Sequence, residues 1–530
     1  MAAKRILLIE PGYKNKYPPL GLMKLASYHG AYGKRDYVRF VKGEDTDVLA
    51  YHWDRVYVTS LFSFEFDRIA RSIDFALTVV NGQSHKVFVG GIAASLMPER
   101  FQAESRWSGV RFIRGLLTQA PAQALQLDSF SGELYSDDID GPSIEDEIPD
   151  YSILDQIDYK YPVRDGYFVY ASRGCIRTCG FCGVPKLEGP QRDTKSLSGI
   201  VREIERRHGP KKDLILMDNN VVASPRFSEI IDEIVDLGFG AGARLERNGR
   251  SYARRVDFNQ GVDARILSKD PQFLKELARS AIKPLRIAFD HLGLRKPYET
   301  SIRYAHDAGL FDLSNYMLYN FHDSPADLYA RMHLNVELNE ELSIRIFSFP
   351  MRYQPTNLPD RSHVGEKWSR YELRSMQLIL QATHGVVSGE PEFFRIAFGS
   401  SVAEFEELLL RPHRFIFNRQ WYERGPGKPE LDEYRTAIES LPTDSRRLLA
   451  SKLSSVEPRF IGSLSAAADS ASMRTILSFY RPFQRGEEQK IWAYQRLHPR
   501  IMTDRPAEDE MVEDADLAGD EAPPKRESVA

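Results

Sequence analysis

The sequence predicts an α/β protein in three parts: an N-terminal doubly wound parallel sheet, a central partial barrel of six strand–helix repeats, and a helical C-terminal domain. Three observations predict it. Short apolar runs alternate with helical stretches over the first 120 residues, a second alternating series starts near Tyr167, and from about Gly365 the pattern turns helical. At 530 residues the chain is too long for one ordinary core, so two or three domains are expected.

In the first part, Lys4 to Ile9 is an apolar strand and Leu20 to His29 a helix entered through Pro18-Pro19. Tyr37 to Lys42 and Arg55 to Ser60 are further strands, followed by a helix from Phe64 to Val80. Lys86 to Val89 is a strand ending in Gly90-Gly91, and Val110 to Arg114 is a fifth. Such a sheet takes its ligands in the crevice beyond the carboxyl ends of its strands. From Asp128 to Asp150 there are nine acidic residues and no Lys or Arg, with Pro142 and Pro149, which reads as a linker. In the second part, strands are expected at Tyr167 to Ser172, Asp213 to Met217, Val256 to Asn259, Pro284 to Phe289, Ser314 to Tyr319 and Ser343 to Phe349. Helices such as Leu197 to His208 and Pro325 to Leu338 separate them, and reactive residues belong just after the strands. The third part holds helices at Trp368 to His384, Val402 to Leu410, Glu430 to Ser440 and Thr443 to Leu453. The expected domains are 1–127, an acidic linker 128–164, a barrel 165–355, a helical domain 356–495 and a disordered acidic tail 504–530.

Hydrophobic residues at 42% and charged residues at 28% are the balance of a soluble globular protein, and no apolar run approaches bilayer length. The N-terminus meets Glu10 and Pro11 too early for a signal peptide, so a cytoplasmic location is expected. The net charge of -4 is concentrated in the two acidic segments. What remains is a mild basic surplus, compatible with an anionic substrate but no footprint for nucleic acid by itself.

Only three cysteines occur, all within eight residues: Ser172-Arg173-Gly174-Cys175-Ile176-Arg177-Thr178-Cys179-Gly180-Phe181-Cys182. An odd, clustered set cannot be a disulfide framework and suggests a metal site. Three thiolates on one compact loop can ligate three irons of a four-iron four-sulfur cluster, leaving one iron for an external chelator. Structural zinc would want a fourth Cys or His, yet the nearest downstream histidine, His208, lies on a predicted helix.

The Cys-x3-Cys-x2-Cys spacing with Phe181 before the last cysteine resembles the signature of the radical S-adenosylmethionine (SAM) superfamily, over about residues 165 to 355. The resemblance implies a 4Fe–4S cluster on Cys175, Cys179 and Cys182 that reduces SAM. Cleavage then gives methionine and a 5'-deoxyadenosyl radical, which abstracts hydrogen. It implies an electron donor such as flavodoxin or ferredoxin, and it places Phe181 beside the adenine. Further SAM contacts are expected at the strand ends: Asp218 and Asn219 after the second strand, Asn259, Gln260 and Asp263 after the third, and Asn320 after the fifth. His322 is a candidate acid or base, although a lone histidine is more often a structural hydrogen-bonder. Methylthiotransferases, and enzymes with auxiliary clusters or a cysteine carrier, need cysteines this chain lacks.

The N-terminal part resembles the cobalamin-binding domain that precedes the barrel in one large radical SAM class. Pro18-Pro19-Leu20-Gly21-Leu22, Thr59-Ser60, Val89-Gly90-Gly91-Ile92-Ala93 and Ile148-Pro149-Asp150-Tyr151 carry that resemblance. It implies cobalamin at a rim of Gly12, Thr59, Ser60, Gly90 and Gly91. One departure stands out. Domains that supply a lower cobalt ligand carry Asp-x-His-x-x-Gly after the first strand, whereas this loop reads Glu10-Pro11-Gly12-Tyr13-Lys14-Asn15. Either cobalamin binds without a protein imidazole or the domain serves as a scaffold.

The expected activity is therefore radical initiation on an unidentified substrate, a small molecule being favoured. Methylation and ring rearrangement are the outcomes considered, with no catalytic side chain assigned. The alternatives are modification of a nucleic acid or protein, and a non-catalytic iron–sulfur sensor. A segment from Gly240 to Arg255, with Arg244, Arg247, Arg250, Arg254 and Arg255, reads as a solvated hairpin or as a clamp over a phosphorylated or polymeric substrate.

Overall fold

Ile6, Leu7, Leu8 and Ile9 are completely buried, and a strand buried on both faces belongs in the middle of a parallel sheet. That strand is β1 (Arg5–Glu10). It lies between β2 (Tyr37–Lys42) and β3 (Arg55–Thr59), and β4 (Val87–Gly90) and β5 (Arg111–Phe112) extend the sheet beyond β3. All four pairings are parallel, with Ile9 opposite both Val41 and Val58. The order β2-β1-β3-β4-β5 reverses direction between β1 and β3, which is where such a sheet opens its crevice. The helices α1 (Leu20–His29) and α2 (Phe66–Val79) fall where the sequence places them, and Ile69, Ile73 and Ala76 of α2 join Val56 and Val58 in the core.

The computed structural model describes residues 3–117, 143–383, 385, 387, 389–456, 461, 464 and 470–498. The expected acidic tail and residues 128–142 of the expected linker lie outside them. The rest of the linker runs back along α1. Lys24 donates to the Glu145 carboxylate at 2.9 Å, the Asp150 N–H donates to the Met23 carbonyl, and the Tyr151 hydroxyl reaches the Gly166 carbonyl. Among the described residues no helix is long and apolar enough to cross a membrane.

The chain divides into two units, one of Met1–Ile287, Pro297–Leu310 and Gln354–His363, the other of Ala288–Lys296, Phe311–Tyr353 and Val364–Ala530. The first unit holds a second parallel sheet besides the N-terminal one. In chain order, β6 (Gly166–Val169) is followed by the short antiparallel pair β7 (Ser172–Arg173) and β8 (Arg192–Asp193), then β9 (Asp213–Leu216). The hairpin β10 (Arg244–Arg247) and β11 (Arg250–Ala253) precedes β12 (Arg255–Phe258). β9 lies between β6 and β12, with Val169, Leu216 and Phe258 in one row. The short β13 (Leu285–Arg286) follows, and Arg286 is fully buried against Asp257 through hydrogen bonds of 2.9 and 3.1 Å.

In the second unit β14 (Asp312–Tyr319) and β15 (Arg345–Arg352) pair in parallel over their whole length. The helix Pro325–Leu342 connects them, started by a capping box between Ser324 and Asp327. Helices then follow from Arg370–Ala382 to Glu487–Leu497 around a core that includes Tyr371, Tyr422, Tyr434, Leu449 and Ile476. The sequence missed several short helices here, among them Pro391–Phe398 and Ala471–Ser478. At eight residues each, they are too short to show a clear period.

His413 is half-buried in this unit, its ring stacked on Tyr371 at 4.2 Å. Burial and the nearby Arg374 charge push its pKa down to about 3, so the folded state holds it neutral. The unfolded chain titrates near the ordinary value of about 6.5. Stability from this group is therefore full above that pH and falls below it, by about 1.4 kcal/mol per pH unit. His413→Phe should lose less stability than the wild type between pH 7 and 5, by about 2 kcal/mol. Equal acid losses in denaturant melts of the two proteins would refute this.

Candidate metal centre

In a parallel sheet all carboxyl ends emerge on one side, so the segments after β6, β9 and β12 share one rim. The cysteine loop follows β6, and it is folded back on itself between β7 and β8. Gly174 has φ 77°, and a side chain there would meet the Pro190 carbonyl oxygen at 2.3 Å, so only glycine can start this turn. The Gly174 N–H donates to the Glu188 carboxylate at 2.8 Å, and the Cys175 N–H to the Gly189 carbonyl at 3.3 Å. The Cys182 N–H closes a turn onto the Cys179 carbonyl at 3.0 Å. All three thiols are half-buried. The N–H groups of Arg177 and Val184 donate to the sulfurs of Cys175 and Cys182, both at 3.4 Å, a kind of contact that tunes iron–sulfur sites.

Among the described residues no three His, Cys, Asp or Glu side chains converge closely enough to hold a single metal ion. A four-iron cube takes each sulfur on a different iron, and three thiols along one loop are the donor set it needs. The donor set fits a cube with three protein ligands.

Two carboxylates that the sequence assigns to SAM point elsewhere. Asp218 is buried, and it accepts hydrogen bonds from the N–H of Ala171, at 3.0 Å, and from the N–H and hydroxyl of Ser172. It clamps the strand that enters the cysteine loop. Desolvation outweighs these donors and pushes its pKa up to about 6. Asp263 caps the helix Ala264–Leu267 and accepts from Arg177 at 2.8 Å and from Arg265 at 2.8 and 3.0 Å. Burial opposes its charge, but the two guanidiniums prevail and hold it below the usual carboxylate range. Arg265 also lies beside the Cys179 thiol.

Asn219, half-buried, donates to Glu188 at 3.0 Å. Asn259 is buried, and its side-chain oxygen accepts from the Tyr17 hydroxyl at 2.5 Å. Gln260 beside it is exposed, and Phe181 is half-buried in the cysteine loop. Asn320 belongs to the second unit. It is buried at φ 68°, donates to the Tyr353 carbonyl and accepts from the Gly365 N–H, so its amide is used in packing a turn. His322 is exposed and lies against the ring of Phe321.

Sequence reasoning missed Tyr17 and Glu188. Nothing local marks Tyr17, whose partner is 242 residues away. Glu188 could have been found, because Glu188-Gly189-Pro190 is a turn signature that announces the loop's return.

The N-terminal sheet presents its rim to the same loop. Leu96, in the helix α3 (Ile92–Leu96) after Gly91, packs on Gly183, where a side chain would come within 2.9 Å of it. Of the rim residues, Ser60 is buried and its hydroxyl joins the Gly90 carbonyl to the Ala94 N–H. Gly91 has φ 107° and abuts the Ser60 backbone, with 2.6 Å to the oxygen for any added side chain. Thr59 and Gly90 are partly buried and Gly12 is exposed. In the loop after β1, Glu10 is buried and bonded to Lys42, Asn15 and Tyr161.

The arginine segment forms the hairpin β10–β11, turned at Asn248-Gly249 with both residues at positive φ. Arg247 pairs with Asp165, and Arg254 donates to the Lys211 carbonyl. Those anchors precede β6 and β9, so the hairpin sits at the amino ends of the strands. The cysteine loop is at the opposite ends, which corrects the reading of this segment as a substrate clamp.

No family model and no curated protein sequence matches the chain. Among solved structures it is similar to that of the apo, selenomethionine-labelled cobalamin-dependent S-adenosylmethionine radical enzyme OxsB, at 12% identity and a TM-score of 0.44, over 90% of this chain and 75% of that one. It is similar too to SuiB of Streptococcus suis bound to S-adenosylmethionine, at 12% identity and a TM-score of 0.27, over 57% of this chain and 60% of that one.

Proposed function

We propose that this chain is a radical SAM enzyme, with a 4Fe–4S cluster on Cys175, Cys179 and Cys182. One observation carries the reading: three thiols, spaced Cys-x3-Cys-x2-Cys with no fourth cysteine in the chain, lie on a braced loop at the carboxyl ends of parallel strands. Cys175, Cys179 and Cys182 would hold the cluster, which would supply the single electron that splits SAM into methionine and a deoxyadenosyl radical. The chain's own residues hold and orient. Glu188 and Asp218 fix the loop, while Phe181, Asn219, Asn259 and Gln260 stand at the rim where SAM would lie. The partial barrel remains our reading of the central repeats, supported by the parallel strands in each unit.

For the N-terminal domain we propose a scaffold role. What supports it is that Ser60, Gly91 and Glu10 are already used inside the domain, so these residues fit the bare domain as well as they fit cobalamin. The proposed chemistry accordingly contains no step through cobalt. Modification of a nucleic acid loses its main support, since the arginine hairpin lies away from the loop.

Anaerobically reconstituted protein should bind about four irons and convert SAM to methionine and 5'-deoxyadenosine under reduction. Iron binding without SAM cleavage would leave the sensor reading, and zinc without iron in the native protein would end both. Stoichiometric cobalamin uptake in the same preparation would overturn the scaffold role.

A further inference from the structure

Asp263 carries one negative charge and meets two guanidiniums. Arg177 reaches it from inside the cysteine loop, between Cys175 and Cys179, and Arg265 from the first turn of the following helix. The trio therefore keeps one positive charge in excess, held in place by bonds of 2.8 to 3.0 Å. The Asp263 side chain is 8% exposed, whereas Arg177 and Arg265 are 32% and 38% exposed, so solvent weakens their field without removing it. The Arg177 N–H donates to the Cys175 sulfur at 3.4 Å, and Arg265 interacts with Cys179. A reduced cluster carries one more negative charge than the oxidised one, and a fixed cation nearby favours the reduced form.

We propose that Arg265, positioned by Asp263 together with Arg177, makes the cluster easier to reduce. Arg265 and Asp263 are thus positioning residues whose effect reaches the reaction through the potential of the iron. The inference rests on the iron–sulfur reading above.

The test is a redox titration of the reconstituted holoprotein, followed by paramagnetic resonance of the reduced cluster. Arg265→Gln should keep wild-type iron content while the ratio of reduced to oxidised cluster at a fixed donor potential falls about tenfold, which is 59 mV for a one-electron couple. Arg265→Lys, which keeps the charge, should stay near the wild type. Arg177→Gln supplies a second measurement with the same expected direction. Unchanged potentials in Gln variants with full iron would overturn the proposal. So would loss of iron from both Gln variants, since the arginines would then be structural. Wild-type protein without any iron–sulfur signal would instead sink the underlying reading.

Discussion

Replacing Cys175, Cys179 or Cys182 with alanine is expected to abolish SAM cleavage in each case, with the cluster lost or reduced to a trace. In the proposed cluster each sulfur would serve a different iron, so removal of one would open a corner that water or a buffer anion holds poorly. No other cysteine in the chain can substitute. The loss should be chemical rather than structural, because the loop's course is set by Asp218, Glu188 and backbone bonds to Gly189, none of which uses a thiol. Iron analysis, the cluster's visible absorption and 5'-deoxyadenosine release measure the outcome, with circular dichroism to confirm the fold. A single-alanine variant that cleaves SAM at the wild-type rate would sink the assignment.

Asp218→Ala should lose iron and stability together. Its carboxylate accepts three hydrogen bonds, two from buried backbone N–H groups at the entrance to the cysteine loop. A buried donor left without an acceptor costs about 1–3 kcal/mol, so about 3 kcal/mol is expected for the pair. Asp218→Asn, which keeps one carbonyl oxygen, should fall between. The strand-end position alone suggests a different result, namely weaker SAM binding with iron unchanged. Denaturant melts of the apoprotein and iron content of the reconstituted variant separate the two. Full iron with a fivefold or greater loss of SAM affinity would return Asp218 to the SAM site.

That contrast shows what a sequence can carry. Strand and helix positions were legible because burial writes a local period into the chain, as in Leu20–His29 and Tyr37–Lys42, whose bounds agree with the sequence reading. The cysteine loop was legible as a candidate site because its three thiols lie within eight residues. Strand ends were legible as places, but the direction of each polar side chain was not. Asp218, Asp263, Asn320 and Ser60 turn to partners inside the fold, and those of Asp218 lie 46 and 47 residues away. A polar residue at a turn looks alike whether its hydrogen bond goes to a ligand or to the backbone. The arginine hairpin was legible as a hairpin. Its end of the sheet depended on Asp165 and Lys211, whose bonds to it no local pattern records.

The cysteine loop keeps its course through bonds that involve no metal: Gly174 to Glu188, Cys175 to Gly189, and Ser172 to Asp218. Sites that fold only around their metal lose shape when it leaves and become prey for proteases. On the iron–sulfur reading, oxygen would strip the iron without erasing the nest that held it, and the emptied protein would stay a template ready for reloading.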